Sequence, residues 1–541
     1  MKKTMRYLSM AALVFAASIV AGCSNDDNDI TGFQQPELPK DNVVTLTTTI
    51  SRDDEAPTRS IDETTGAKTF NAAEKIAVVY EKTDNSFAKV VKQLSFADLS
   101  NGNRCATITV TLTNPKPDGI VKYICPADMV NDDGSINYNY VYNQQNGVLY
   151  MIEGNCDLAK FEGNLVGTSK LPSGTLRNQL VLCKFKIKDG NGNDITNTIN
   201  KLTVKNGSDV YSVNLYHNPY IWVAMKPVTS GTIEIYAAKG MELYRKAVTG
   251  QTLAASKIIP ITVTAPKVEG AVSGLFSVNE NHDLVYFSKG NLIAQWRTGE
   301  GWGNFNFAGY QSFFLKDMEG NIHLSNPSNQ ERIDLFGWST IDSYNNYGIN
   351  AAPAGSFTFS FKDWGTANIQ NGGGTNKWRT PSYDEFRYIL QSRSASVVRG
   401  KSDARFFNLY LPTQNGLAGI VLLPDNYVLP DGISNNLTAN HINQISQAVS
   451  LTYAELEKLE EAGAVFLPAA GYRNGTTVYT SSDGWPIGAY WTSTAVPNVD
   501  TNATSIWFGK ESGTLYLNYE ILKGRHLGMS VRLIGPGSAN Q

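Results

Sequence analysis

A chain of 541 residues is longer than one hydrophobic core sustains, and it should divide into about three domains. Its formal net charge of −3 carries none of the basic excess that a nucleic-acid partner selects. Beyond Cys23 there are four cysteines, Cys105, Cys125, Cys156 and Cys183, scattered without CxxC spacing; the sequence offers no metal site and no cofactor, and leaves open whether these thiols are free or joined in one or two disulfides.

The chain opens with Lys2, Lys3 and Arg6 ahead of an apolar run from Leu8 to Ala21, too short to span a bilayer and closing on small residues. Residues 1–22 read as a signal peptide. Val20-Ala21-Gly22-Cys23 resembles the bacterial lipobox, which implies acylation of Cys23 and a membrane contact made through the lipid alone, since no later segment is apolar enough to cross. Residues 23–41 form a linker whose acidic start, Ser24 to Asp29, resembles the surface-export tag of Bacteroidetes lipoproteins or serves as a solvated spacer. The expected location is the outer membrane, surface-exposed or on fimbriae.

Short alternating runs rich in Thr, Val and Tyr predict a mostly β chain, with strands such as Val43 to Ile50, Ala106 to Leu112, Lys201 to Val204, Thr232 to Ala237 and Ile258 to Val263. Two helices stand out. Tyr383 to Ser392 follows Pro381 and Ser382 with Phe386, Ile389 and Leu390 on one face, and Thr452 to Ala462 packs Leu456 and Leu459 under charge. Composition changes near residue 270: eight of the nine tryptophans lie from Trp296 to Trp507, and the post-anchor cysteines all lie before residue 184. The junction is expected in Pro266 to Gly274, and a further division near 152 at the polar Asn137 to Gly147 segment.

A Thr-rich first strand, an Arg-containing loop from Ser51 to Ser60, and a strand entered through Phe70, Glu74, Ile76, Ala77 and Val78 follow the lipobox in that order. Together these resemble the fimbrillin family of Bacteroidales, which implies two β-sandwich domains, 42–152 and 153–268. The resemblance also implies cleavage after an arginine, Arg59 first and Arg52 second, with loss of the first strand and donor-strand exchange with other fimbrial subunits. An open sheet edge with vacant side-chain pockets favours an incoming strand. Both arginines also fit ordinary solvated loop positions.

Residues 275–534 carry the segments Val285 to Leu292, Asp334 to Trp338, Trp378 to Pro381, Leu422 to Asp425, Phe466 to Arg473, Tyr490 to Thr494 and Gly528 to Leu533. Their order resembles the Fibrobacter-type paralogous domain, similar to the formylglycine-generating-enzyme branch of the C-type-lectin-like fold. The resemblance implies a mixed α+β recognition domain after the two sandwiches. Trp338, Trp378 and Trp491 are expected in its core, with Arg379 and Arg532 as internal cross-links to carboxylates or carbonyls. The enzyme branch uses cysteines, and this segment has none; the calcium-lectin motifs Glu-Pro-Asn, Gln-Pro-Asp and Trp-Asn-Asp are missing as well. None of the five histidines stands in a nucleophile or HExxH pattern, so catalysis is not expected. Two distant carboxylates of a glycoside hydrolase leave no sequence spacing to read.

Ser505 to Phe508 and Thr514 to Tyr519 flank a turn at Lys510 to Gly513 and predict a hairpin. One face would carry Ser505 and Trp507, with Tyr516 and Asn518 on the return strand; Asn498, Asp500, Asn502, Tyr519, Arg525 and His526 extend a candidate ligand surface. A solvated hairpin without a ligand is the plainer reading. The stretch also resembles the variable region of targets of diversity-generating retroelements. The expectation is a fimbrial tip adhesin with a glycan or protein ligand, because a bulky C-terminal domain leaves no tail strand to donate. A non-polymerising surface glycan-binding or hydrolytic lipoprotein and a structural anchor are the rivals.

Overall fold

The computed structural model describes residues 41–52, 68–215, 219–297, 301–308, 332–339, 360–394, 396–413, 416–474, 477–511 and 514–535. The signal peptide, Cys23 and Arg59 lie outside them.

The first module contributes strands β1 (Val43–Arg52), β2 (Lys75–Glu81), β3 (Phe87–Gln93), β4 (Leu99–Ser100), β5 (Cys105–Thr113), β6 (Ile120–Cys125), β7 (Ala159–Asn164) and β8 (Gly174–Asn178). They form one sheet in the order β3-β2-β6-β7-β8-β1-β5-β4. Ile76, Val78 and Tyr80 of β2 share a core with Ile108, Val110 and Leu112 of β5, five places away in that order, so the sheet folds over on itself. The second module has β9 (Val181–Lys188), β10 (Lys201–Asn206), β11 (Asp209–Asn214), β12 (Ile221–Met225), β13 (Val228–Lys239), β14 (Glu242–Leu253) and β15 (Ile258–Thr264). These make two sheets, β11-β10-β13-β14 and β12-β9-β15, with β15 parallel to β9.

The continuous apolar run of β2 has a physical cause. Side chains alternate across a strand, so Ala77 and Val79 point away from the first core, and they pack into the core of the second module beside Phe185 and Val223. A strand buried on both faces needs no polar residues.

The boundary expected near 152 moves. β7 and β8 pair into the first sheet, which therefore runs to Asn178. The polar Asn137 to Gly147 segment is internal: it forms helix α1 (Asn139–Asn143), buries Val141, and turns the Gln145 amide onto β12, accepting from Ala224 N at 2.7 Å and donating to Ala224 O at 2.8 Å. Helix α2 (Leu149–Asn155) follows and buries Ile152. Most amides of the segment, among them Asn137, Asn139, Asn143 and Gln144, are exposed, whereas the buried Gln145 satisfies backbone groups of β12 that would be costly to leave unpaired. Cys105, Cys125, Cys156 and Cys183 are all free thiols, the last three buried.

The C-terminal module mixes small sheets with helices α3 (Tyr383–Arg387), continued to Ser392 by a wider turn, and α4 (Tyr453–Glu461). Each starts in a capping box, Ser382 with Glu385 and Thr452 with Glu455. Its second strand, Leu284–Phe287, meets its last, Ile534–Gly535, with Phe287 opposite Ile534 and Tyr286 opposite Gly535. Trp338, Trp364 and Trp491 are fully buried and Trp378 nearly so; Arg379 grips Glu385 with both terminal nitrogens, and Arg532 donates to the Asn291 side-chain oxygen at 3.1 Å. The module does not hang free: Tyr236 and Leu243 of the second module belong to the same core as Tyr286, Phe307 and Trp378.

Candidate functional site

β1 is the element on which the first module turns. Along its length it pairs antiparallel with β5, from Val43 opposite Thr113 to Ser51 opposite Cys105. On its other flank it pairs with β8 only at Ile50 to Arg52. The outward threonines make cross-strand pairs, Thr45 with Thr111 at 3.0 Å and Thr47 with Thr109 at 2.9 Å, while Val44 and Leu46 are only partly buried. The grip on β1 is therefore uneven, weak from Val43 to Thr49 and strong at its end.

That end is Arg52. It is buried, which fits neither the second-choice cleavage site nor the solvated loop position between which the sequence left it. Its guanidinium donates to Asp157 Oδ2 at 2.7 Å, Glu74 Oε1 at 2.9 Å and Cys125 Sγ at 3.3 Å, and lies 5.3 Å from the centre of the Phe70 ring. Lys68 reaches the same two carboxylates, each at 3.3 Å, and donates to Glu153 O at 2.9 Å. Two cations and two carboxylates thus balance in the interior. Burial alone would push the Arg52 guanidinium down, but Asp157 and Glu74 hold it above its ordinary value. Burial would likewise raise Glu74 and Asp157, and Arg52 and Lys68 override it, so both carboxyls lie below the usual range. Arg52 and Lys68 bracket residues 53–67, which include Arg59, so one buried cluster ties down both ends of that segment. In its folded position Arg52 is out of reach of a protease.

The predicted hairpin exists, Asn502–Glu511 against Thr514–Gly524, with Trp507 opposite Asn518 and Gly509 opposite Tyr516. Its surroundings differ from the expectation. Asn502–Glu511 is the central strand of a three-stranded sheet whose other edge is Gly488–Ala495. One face carries Ser505 and Trp507 into the core with Ala489 and Trp491, and the other carries Ile506 and Phe508 into the core with Tyr490. Ser505 and Trp507 are thus interior residues. Arg525 is also structural: it is buried, its guanidinium stacks 4.4 Å from the Trp338 ring centre, and its Nε donates to Asn502 O at 3.0 Å. Asn498, Asp500 and Asn518 are exposed, Asn502, Tyr516 and His526 partly so, and the Tyr519 side chain lies outside the described residues.

Sequence reasoning missed the aromatic array beside this hairpin. Tyr472 and Tyr479 stack with centroids 4.9 Å apart and planes 12° from parallel, and Tyr472 lies 4.8 Å from Trp507. Lys523 Nζ covers Trp507 at 4.5 Å, and Tyr479 remains exposed. Tyr472 stands opposite Tyr479 and Asn474 opposite Thr477 in an antiparallel pair, and the Asn474-Gly475 dipeptide is the sequence signal that could have announced it. Flat aromatic faces beside amides and a cation suit a ligand with both apolar and hydroxyl surfaces. Among the described residues there is no cluster of metal-ligating side chains, and no helix is long and apolar enough to cross a membrane.

No family model and no curated protein matches the chain. Among solved structures it is similar to a fimbrial assembly protein of Parabacteroides distasonis, at 9% identity and a TM-score of 0.25, over 46% of this chain and 96% of that one. A candidate cell adhesion protein of Bacteroides uniformis matches at 11% identity and a TM-score of 0.26, over 41% and 96%. A minor pilin of Streptococcus agalactiae matches at 12% identity and a TM-score of 0.20, over 41% and 96%.

Proposed function

We propose that the chain is a non-catalytic adhesin subunit of a fimbria-type surface fibre, brought to the outer membrane by its signal peptide and the Cys23 lipid. The observation that carries this reading is the uneven hold on β1. It is an N-terminal strand lodged between two later strands, with full pairing on one flank, three residues on the other, and one anchored end. Cutting at Arg59 and withdrawing β1 would leave a slot bounded by β5 and β8, lined by the partners of Val44, Leu46 and Ile50, which a strand from another subunit fits. β15 is held beside β9 and leads into the C-terminal module, so the described residues hold no loose later strand to pass on. A subunit that accepts a strand and donates none belongs at the end of a fibre.

The C-terminal module would then meet the ligand through the Tyr472 and Tyr479 stack with Asn518 and Lys523. Immunogold labelling of native fibres with an antibody to this module tests the assignment. Label at one fibre end supports it, and label confined to the cell envelope contradicts it. The aromatic stack also favours a second reading, a glycan-binding lipoprotein that never polymerises; that protein would bind glycans and be missing from fibres.

A further inference from the structure

The seam between the second module and the C-terminal module encloses a cavity of about 330 Å³. β10 and β11 supply one wall. Lys201 and Asn214 stand directly opposite each other in that pair, so their side chains share a face, and Tyr236, opposite Thr203 on the neighbouring strand, also lines the space. The facing wall brings Ser273, Asn426 and Glu461.

Lys201 is the unusual member. Its ammonium donates to Asp425 O at 2.8 Å and Asn426 O at 3.0 Å, which leaves the third N–H without a protein acceptor among the described residues. No carboxylate comes within ion-pair distance of it among those residues, because the Asp425 carboxylate is turned to Arg393 Nη1 at 2.6 Å and to Ser277 N at 2.8 Å. Lys68 provides the contrast. Both ammoniums are desolvated, but two carboxylates hold Lys68 above its ordinary value, whereas burial pushes Lys201 down to about 8 with only a distant pull from Asp425. Lys201 is half-buried, and a desolvated charge without a counter-charge is costly and is relieved by an anion. The amides of Asn214 and Asn426 have no protein partner among the described residues, and they face the same space with the exposed Glu461 at the rim.

We propose that this seam is a binding site for a small sugar acid of the hexuronate class, with its carboxylate on Lys201 and its ring hydroxyls on Asn214, Asn426 and Glu461. The volume lies at the lower end of the range for ligand pockets, about 300–1,000 Å³, which suits one ring and not a chain. The carboxylate replaces the counter-charge the protein lacks, and the amides, which donate and accept, match hydroxyls. The site is separate from the aromatic stack and independent of whether the chain polymerises.

Isothermal titration of the mature chain with sodium glucuronate at neutral pH, with glucose as the uncharged control, tests it. Saturable glucuronate binding is expected, glucose should give none, and Lys201→Gln should weaken glucuronate by at least tenfold. Lys201 also fastens the two modules, so Asn214→Leu, which replaces the amide with an apolar side chain without touching that contact, is the companion variant; it should lose glucuronate while melting like the parent. No glucuronate binding, equal binding of glucose, or unchanged affinity in Asn214→Leu would overturn the proposal.

Discussion

Arg52 closes β1 with its guanidinium 2.7 Å from the carboxylate of Asp157, a residue that lies 105 positions further along the chain. Through that contact, and through Glu74 and Lys68, the first strand is fastened at one end to groups it meets only when the module is folded.

Removing one member of the cluster strands the others without water. Asp157→Ala should destabilise the first module by about 3–5 kcal/mol in urea unfolding, while the double variant Arg52→Met with Asp157→Leu should cost clearly less, since no uncompensated charge remains. Equal losses in the two would mean that the pair contributes packing alone.

The same cluster makes acid the natural solvent for loosening β1. Glu74 and Asp157 have folded values below their unfolded ones, so their contribution is present above the ordinary carboxylate range and is lost as pH falls through the folded values. The melting temperature should drop steeply below about pH 4, and Glu74→Gln with Asp157→Asn should flatten that drop. A parallel course for parent and variant would rule the cluster out as its source. After cleavage at Arg59 at neutral pH, native mass spectrometry should still find the β1 fragment bound.

Glu460 works in the opposite direction. It is buried on α4, and burial raises its carboxyl to about 8 while Arg532 pulls it down. A folded value above the unfolded one gives stability that is complete at low pH and is lost as pH rises from the ordinary Glu range through about 8. Between pH 5 and pH 8.5 the parent should therefore lose melting temperature relative to Glu460→Gln. No relative change would place the ionised form in the fold.

The aromatic array separates packing from recognition. Trp507→Ala should cost about 3–5 kcal/mol of stability, because it empties a core position. Tyr479→Ala should leave the melting temperature within a degree or two and abolish glycan-array binding of the C-terminal module. Retained binding in Tyr479→Ala would move the ligand site elsewhere.

Much of the fold was legible because it is local. The alternating strands, the two helices with their apolar faces and the tryptophan core follow from short patterns, and Trp338, Trp378 and Trp491 lie where those patterns put them. Three features were not legible, for different reasons. The Arg52 cluster assembles residues 52, 68, 74, 125 and 157, and no spacing rule links positions that meet only through sheet topology. The inner boundary failed because the polar stretch near 140 marks an excursion within the chain and not its end: β7 and β8 return afterwards to pair into the first sheet, and Gln145 within the stretch is tied to the β12 backbone. Trp507 was misread because alternation was counted on one face alone: Ile506 and Phe508 make the run apolar on both, the mark of a central strand.

The most direct test of the account is the mass of the mature N-terminus on protein taken from the native cell surface. A chain beginning at Ser60 is the predicted result, and it would mean that Arg59 is cut and β1 is held by non-covalent contacts alone, open to exchange. A lipidated Cys23 on every molecule, including those in fibres, would contradict strand exchange and leave an anchored surface binder.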